Sequence, residues 1–249
     1  MKNDPPKIEV LHGLVAFFDI MGFSEMLESN EPEEINAIIR DVFLNIPGKL
    51  NFDRMELETY NLNPSYRIFS DSILVYQKKP LPGMFEDSIA IRFIDYCCQL
   101  SADMLSSGLP VRGAISKGKF SILEDKSGNS SFTGKCFVET HKFTEALQLA
   151  GCAVVPTLES EFSKDGETLE DSFQEDLLYW QAPLKNSSPQ KLLMLNFLRH
   201  VTKPAGEISR TTLIEKFSAH GKGFDLEVLK KVSETEKFLA ECKKRIKPD

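Results

Sequence analysis

The sequence predicts an α+β fold: a ferredoxin-like βαββαβ core followed by a C-terminal helical extension. Three observations carry the prediction. Residues 13–20 form a short apolar run of strand composition that ends in an acid, Asp19, and Ile20. The pair Ser70-Asp71 separates two strand-like runs by a two-residue break, the spacing of a tight hairpin. Strand and helix patterns then follow one another as strand–helix–strand–strand–helix–strand with short connections, filling residues 13–156. At 249 residues and 41% hydrophobic, the chain is long enough to bury a full core without a disulfide or metal staple. We read it as a single domain over 1–249, with a core at about 10–185 and a helical tail at about 187–249.

Each element has its own justification. Residues 13–20, Gly-Leu-Val-Ala-Phe-Phe-Asp-Ile, favour a buried strand by length and by their Val, Phe and Ile content. Gly22 turns the chain. From Phe23 to about Leu44 apolar residues recur at helical spacing (Phe23, Met26, Leu27, Ile35, Ile38, Ile39, Val42), and Pro32 marks a break or a new first turn. Tyr66-Arg-Ile-Phe69 and Ser72-Ile-Leu-Val-Tyr76 are the hairpin strands, and residues 78–83 are loop by composition. Residues 85–106 form an amphipathic helix through Phe85, Ile89, Phe93, Cys97, Leu100 and Met104, ended by Gly108. Residues 109–115 are a strand, continued by 120–123 beyond a turn at Gly118, and 125–131 read as an exposed loop. Residues 137–149 are helical and 152–156 a strand. Further on, Tyr179-Trp180 marks a strand and 189–201 a helix; two more helices follow, the last at 226–244. The alternating charges of the tail read as a solvated helix, packed on the core or at a subunit contact.

Composition excludes some function classes. Thirty Lys and Arg against 37 Asp and Glu give a net charge of −7, which weighs against a nucleic-acid surface but leaves room for a small anion in a local pocket. No apolar run approaches the about 18 residues of a spanning helix. The start, Met1-Lys-Asn-Asp-Pro-Pro, lacks the basic flank and apolar stretch of a signal peptide. The five cysteines, odd in number and without a CxxC, read as reduced thiols of a cytoplasmic protein.

Two acids stand out. Asp19 ends the first strand and Asp71 sits at the hairpin tip; in this topology the two strands are neighbours, so both carboxylates meet at one sheet end. Two carboxylates and the Ile20 carbonyl suit a hard divalent cation. Gly22-Phe23-Ser24 opens a helix whose N–H groups can hold phosphate oxygens, so cation and helix start together make a triphosphate cradle. Taken singly, Asp71 is equally a turn residue and Asp19 a helix cap.

Three motifs carry a resemblance. Phe18-Asp-Ile-Met-Gly-Phe-Ser24 resembles the F-D-I-x-G-F-[ST] motif of class III nucleotidyl cyclases. Phe69-Ser-Asp-Ser-Ile-Leu-Val-Tyr76 resembles their G-D-x-x-[LM] hairpin, and Val111-Arg-Gly-Ala-Ile-Ser-Lys-Gly118 their later R-x-G-I-x-x-G strand. The likeness covers roughly residues 10–160. Arg112-Gly-Ala-Ile-Ser, Gly134-Lys-Cys-Phe-Val-Glu-Thr, Trp180-Gln-Ala-Pro-Leu-Lys185 and Leu195-Asn196 are similar to one branch, the bacterial pyrimidine cyclases of Pycsar anti-phage defence.

The resemblance implies roles. Asp19, the Ile20 carbonyl and Asp71 match the ligands of two Mn²⁺ or Mg²⁺ ions. Gly22, Phe23 and Ser24 match the phosphate-holding segment. Arg67 stands where purine cyclases place a base-reading Lys; a guanidinium there could reach a pyrimidine carbonyl, or could be a strand-edge charge. Arg112, in an apolar strand, would meet substrate or form a structural ion pair. Lys185 resembles a late Lys that meets the terminal phosphates, or is a loop Lys. The chain departs from the family where an Asn and an Arg are normally one turn apart: Val138 and Lys142 hold those places, with Glu139 and His141 beside them. Lys142 or Arg112 would then supply the transition-state cation. His12, His200 and His220 lie outside every motif, and Lys117 and Lys119 read as solvated charges. The implied activity is cyclisation of CTP or UTP to 3′,5′-cyclic CMP or UMP with release of pyrophosphate. The implied assembly is a head-to-tail homodimer with its sites at the interface, and the cyclic product would be read by a separate effector protein. The other readings are an adenylate or guanylate cyclase, and a catalytically inactive cyclase-like nucleotide-binding protein. No binding to nucleic acid or membrane is expected.

Overall fold

The long first strand sets the architecture. A computed structural model describes residues 7–40, 64–77, 86–124, 130–162, 175–201 and 208–246. β1 (Lys7–Ile20) pairs antiparallel with β3 (Ser72–Tyr76) on one side and with β4 (Val111–Glu124) on the other. β2 (Ser65–Phe69) closes the hairpin on β3. The order β2-β3-β1-β4 is the ferredoxin-like core, and it continues through β6 (Gly151–Val154), β8 (Gln190–Leu195) and β7 (Leu177–Ala182). β4 and β6 run parallel, and β5 (Ser130–Thr133) folds back on the far end of β4.

The alternation of β1 divides the molecule into two faces. Leu14, Ala16, Phe18 and Ile20 enter the main core, where α3 (Glu86–Ser106) lays Phe93, Cys97, Leu100 and Met104 against the sheet. Each such fully buried large side chain contributes about 1.5–3 kcal/mol by burial. Leu11 and Val15 point to the other face, where they join Leu74, Tyr76, Phe120 and Ile122 in a second cluster, with Phe17 partly buried against it. α4 (Lys135–Ala146) lies there, and its Thr144 hydroxyl donates to the Phe17 carbonyl at 3.1 Å. The predicted first helix divides at Pro32 into α1 (Phe23–Ser29) and α2 (Pro32–Ile39); its continuation through Val42, like Phe85, lies outside the described residues. α5 (Pro156–Phe162), α6 (Arg210–Phe217) and α7 (Leu226–Arg245) complete the helices, with 3-10 turns at Phe197–His200 and Ala219–Gly221.

Four expectations are corrected. The run 189–201 is not a helix but β8 and a 3-10 turn, so the sheet continues to Leu195 and the helical extension begins later than residue 187. Gly118 is not a turn: β4 is continuous, and Gly118 sits opposite Gly13 in the β1 ladder. Part of the 125–131 loop is strand, since β5 begins at Ser130. β1 begins at Lys7 rather than residue 13. All five cysteines are free and buried. Among the described residues, no helix is long and apolar enough to cross a membrane.

Candidate active site

The pairing register brings the two acids together. Asp19 sits opposite Ser72 on β3 and Arg112 on β4, at the end of β1. The hairpin turns on Ser70, whose φ of 52° is left-handed, and Asp71 follows it. The Ile20 N–H donates to the Asp71 carbonyl at 2.9 Å, which ties the hairpin tip to the strand end. The Ser72 hydroxyl donates to Asp71 Oδ1 at 3.2 Å.

Arg112 occupies the other side of Asp19. Its Nε donates to Asp19 Oδ2 at 2.7 Å, while its Nη1 donates to the Glu145 carbonyl at 2.9 Å. The guanidinium therefore joins a strand-end carboxylate to the negative end of α4. Both side chains are about one-fifth exposed, 21% for Arg112 and 17% for Asp19. Burial pushes the Asp19 carboxyl above its ordinary range; Arg112 pulls it down, and the charges of Asp71 and Glu145 push it up again. The influence of Asp71 on Asp19 marks the two acids as electrostatic neighbours. Two crowded, partly desolvated carboxylates beside the Ile20 carbonyl make an all-oxygen donor set, and a divalent cation relieves their repulsion. The residues fit Mg²⁺ or Mn²⁺.

The turn after Ile20 is built on Gly22, whose φ of 79° is left-handed and favours a residue without Cβ. Gly22 has no side chain to cap α1. Phe23 is committed to the core, so it offers the site backbone alone, and Ser24 is exposed.

On the same sheet face, beside Asp19, an open cleft of about 630 Å³ is walled by Phe17, Phe69, Phe132, Phe137, Val138 and Lys142. Phe69 and Phe132 meet edge-to-face at 5.9 Å, so the β4–β5 hairpin reaches the tip of the β2–β3 hairpin. Arg67 shares this face through the register Arg67–Leu74–Phe17. Its Nη2 lies 3.0 Å from Glu124 Oε1 with both side chains about two-fifths exposed, a surface pair of little worth that a ligand can displace. Lys142 is exposed on the cleft wall, and Val138 stands 56% exposed one turn earlier. His141 packs edge-on against Phe17 at 5.1 Å and lies 3.5 Å from Glu145. Lys185 is exposed; its N–H donates to the Ala146 carbonyl at 2.7 Å, so it stands at the same helix end that Arg112 holds.

The sequence-predicted residues are thus placed as follows: Asp19, Ile20, Asp71 and Arg112 at one sheet end, Lys142 on the cleft wall, Arg67 on the same sheet face opposite Leu74, and Lys185 at the end of α4. Sequence reasoning missed the aromatic wall, because Phe132 belongs to a strand whose first two residues fell in the predicted 125–131 loop and was itself assigned to no element. Away from this site, Cys98, Asp176 and His200 lie within 4.8 Å of one another, a set able to hold a metal ion. There Arg199 already lies 2.7 Å from Asp176 Oδ1 and 2.8 Å from Asp95 Oδ1, supplying the positive charge a metal would bring.

No protein-family model matches the chain, and no curated protein matches it by sequence. Solved structures do. The adenylyl cyclase CyaB from P. aeruginosa superposes with a TM-score of 0.53 at 13% identity, over 76% of this chain and 95% of that one. The catalytic core of a rhodopsin–guanylyl cyclase with converted specificity, in complex with ATPαS, gives 0.50 at 9% identity, over 76% and 98%. The guanylate cyclase domain of RhGC from Catenaria anguillulae, in complex with GTP, gives 0.50 at 11% identity, over 75% and 97%. With the strand order and the paired acids in place, the chain has the fold of adenylyl and guanylyl cyclase catalytic domains.

Proposed function

We propose that this protein is a metal-dependent nucleotide cyclase that converts CTP or UTP to the 3′,5′-cyclic monophosphate and pyrophosphate. The observation that supports the reading is the meeting of Asp19 and Asp71 at one sheet end of a cyclase-type fold. In the reaction the ribose 3′-oxygen attacks the α-phosphorus, the bond from the α-phosphorus to the oxygen bridging to the β-phosphorus breaks so that pyrophosphate leaves with that oxygen, and the 3′-hydroxyl proton passes to solvent. Two Mn²⁺ or Mg²⁺ ions held by Asp19, Ile20 and Asp71 would lower the pKa of the 3′-hydroxyl and balance the charge of the leaving pyrophosphate. Asp19 and Asp71 fix the position of that charge. The backbone of Gly22, Phe23 and Ser24 holds triphosphate oxygens, and Lys185 meets the terminal phosphates. Arg112 or Lys142 stabilises the pentavalent phosphorus. The phenyl walls of the cleft take a flat base, and Arg67 donates to its carbonyl.

The working unit is a homodimer of single-domain, cytoplasmic chains, whose product signals to a separate effector in anti-phage defence. Two further readings have an observation each. The solved neighbours include adenylyl and guanylyl cyclases, which favours a purine substrate. Val138 and Lys142, in place of the family's Asn and Arg, favour a nucleotide-binding protein without catalysis.

Incubation with each of the four NTPs and Mn²⁺, followed by chromatography, separates the three. One cyclic pyrimidine product is expected. A cyclic purine as the main product moves the assignment to the second reading, and no turnover of any NTP moves it to the third.

A further inference from the structure

We propose that Lys222, in the C-terminal extension, is a positioning residue for the turn between β1 and α1, and so sets nucleotide affinity at the site proposed above. The inference rests on that site reading.

Lys222 is 4% exposed, unusual for a lysine with no buried carboxylate against it among the described residues. Its Nζ donates to the Gly108 carbonyl at 2.6 Å and to the Lys216 carbonyl at 3.4 Å. Gly108 ends the loop after α3 and leads through Leu109 to Pro110, whose carbonyl accepts from the Met21 N–H at 2.9 Å. One side of the β1–α1 turn is therefore bonded to the loop that the Lys222 amino group holds. The lysine methylenes cover the other side. A Cβ added to Gly22 would stand 2.9 Å from Lys222 Cδ, so the stem lies directly on the glycine.

The same segment grips the far end of α1. Asn30 Nδ2 donates to the His220 carbonyl at 2.7 Å and to the Met26 carbonyl at 2.8 Å. A Cβ on Gly221 would stand 2.8 Å from the Ser29 Cβ. His220 Nε2 lies 2.8 Å from the Ser107 carbonyl. Residues 219–222 thus bridge both ends of α1 to the end of α3. A leucine would pack as well and cost less to bury. The amino group adds direction: its N–H donors anchor the tip to two backbone carbonyls and so fix the stem over Gly22. That orientation bears on the segment that follows Asp19 and Ile20.

The test compares wild type, Lys222→Met and Asn30→Ala. Lys222→Met keeps the stem and removes the anchor; Asn30→Ala loosens the other grip from an accessible position. The readout is the Kd of each of the four 3′-deoxynucleoside triphosphates with Mn²⁺. These probes lack the attacking hydroxyl, so the measurement is independent of turnover, and thermal melting is run alongside. The expected result is a Kd at least tenfold weaker in both variants. Where turnover occurs, KM should rise likewise, with kcat changed less than threefold. Wild-type Kd in a folded variant overturns the proposal, even with a lower Tm, because it marks Lys222 as an ordinary packing contact. If Lys222→Met does not fold, Asn30→Ala decides alone. Wild type that binds the probes but turns over no NTP refutes the cyclase reading and leaves this comparison valid; wild type that binds none refutes both.

Discussion

At Asp19 one carboxylate serves an observed cation, Arg112, and on the proposed function a divalent ion as well. Arg112 holds it at 2.7 Å, and the acid set around it suits a divalent ion. Replacing Asp19 or Asp71 with Ala removes a proposed metal ligand and, for Asp71, also relieves like-charge repulsion at the other acid. Each variant should lose Mn²⁺-dependent cyclisation while melting as a folded protein; full activity in either would refute the metal assignment. Arg112→Met leaves Asp19 without its counter-charge. It should lower metal-free stability by about 1–3 kcal/mol, the cost of an uncompensated, partly buried acceptor. Mn²⁺ should bind this variant more tightly than wild type, since the ion no longer displaces a guanidinium; weaker binding by electron paramagnetic resonance titration would show that Arg112 organises the acids instead. Lys222 gives a pH signature. Burial pushes its pKa from 10.5 down to about 7, with the Glu25 charge drawing it back up; Lys216 and His220 flank it on its own segment. Above pH 7 the folded lysine is neutral while the unfolded one still binds a proton, so stability from this group rises with pH from about 7 toward 10.5. The cysteines, buried and held as thiols, oppose that rise near their unfolded value of 9.0. Urea midpoints from pH 6.5 to 8.5 should therefore climb in wild type and stay flat in Lys222→Met.

Single elements show which parts of the fold are legible. Gly113 lies between Arg112 and Ala114, and a Cβ there would fall 2.5 Å from the Phe18 ring and 2.9 Å from the Phe17 carbonyl. Close approach of β4 to β1 thus demands the glycine of the Arg-Gly-Ala motif. Gly113→Ala should cost about 1–3 kcal/mol, as overpacking of a filled core does, read as a lower midpoint in urea; an unchanged midpoint would mean that Phe18 can swing aside. The hairpin and the C-terminal part of β1 were readable because Val, Ile, Phe and Tyr favour strand and each run stops at a clean break; α3 was readable because its apolar residues recur at helical spacing. β8 was not. Leu192, Leu193, Met194 and Leu195 are each 3% exposed or less, so the strand is buried on both faces and has no alternation. Leu and Met are also good helix formers, and the run reads into Phe197-Leu198, so composition points the wrong way. β5 was hidden for the opposite reason: Ser130-Ser131-Phe132-Thr133 is mostly polar, and Phe132 earns its place through contacts with Phe69, Tyr76 and Phe137 that only the tertiary fold creates. The meeting of Asp19 and Asp71 was legible because a strand end and a two-residue turn fix their positions from local pattern. The pairing of Arg112 with Asp19 and the covering of Gly22 by Lys222 join residues 93 and 200 positions apart, which no local pattern encodes.

For the whole molecule, the placement of the candidates bears on assembly. Asp19 and Asp71 stand at a sheet end, while Lys142 lines an open cleft on the face beside it and Arg67 stands on that face opposite Leu74. In the proposed head-to-tail dimer, the acids of one protomer serve the phosphates and the cleft residues of its partner serve the base and the transition state. Each protomer then needs one half of its equipment for each of two sites. An Asp19→Ala chain and a Lys142→Ala chain should both be nearly inactive alone. In a mixed dimer, one site carries both defects and the other carries neither. Equal mixing with free exchange gives mixed dimers as half the population, and one sound site in each, so activity should return to about a quarter of wild type. If instead each chain completes its own site, both sites of every mixed dimer keep a defect, and mixing restores nothing. The same experiment distinguishes roles within the cleft. If Arg67→Ala is inactive alone, it should complement Asp19→Ala only if Arg67 works across the interface, and failure would place it in its own chain's site; full activity of Arg67→Ala alone would assign Arg67 to the surface pair with Glu124.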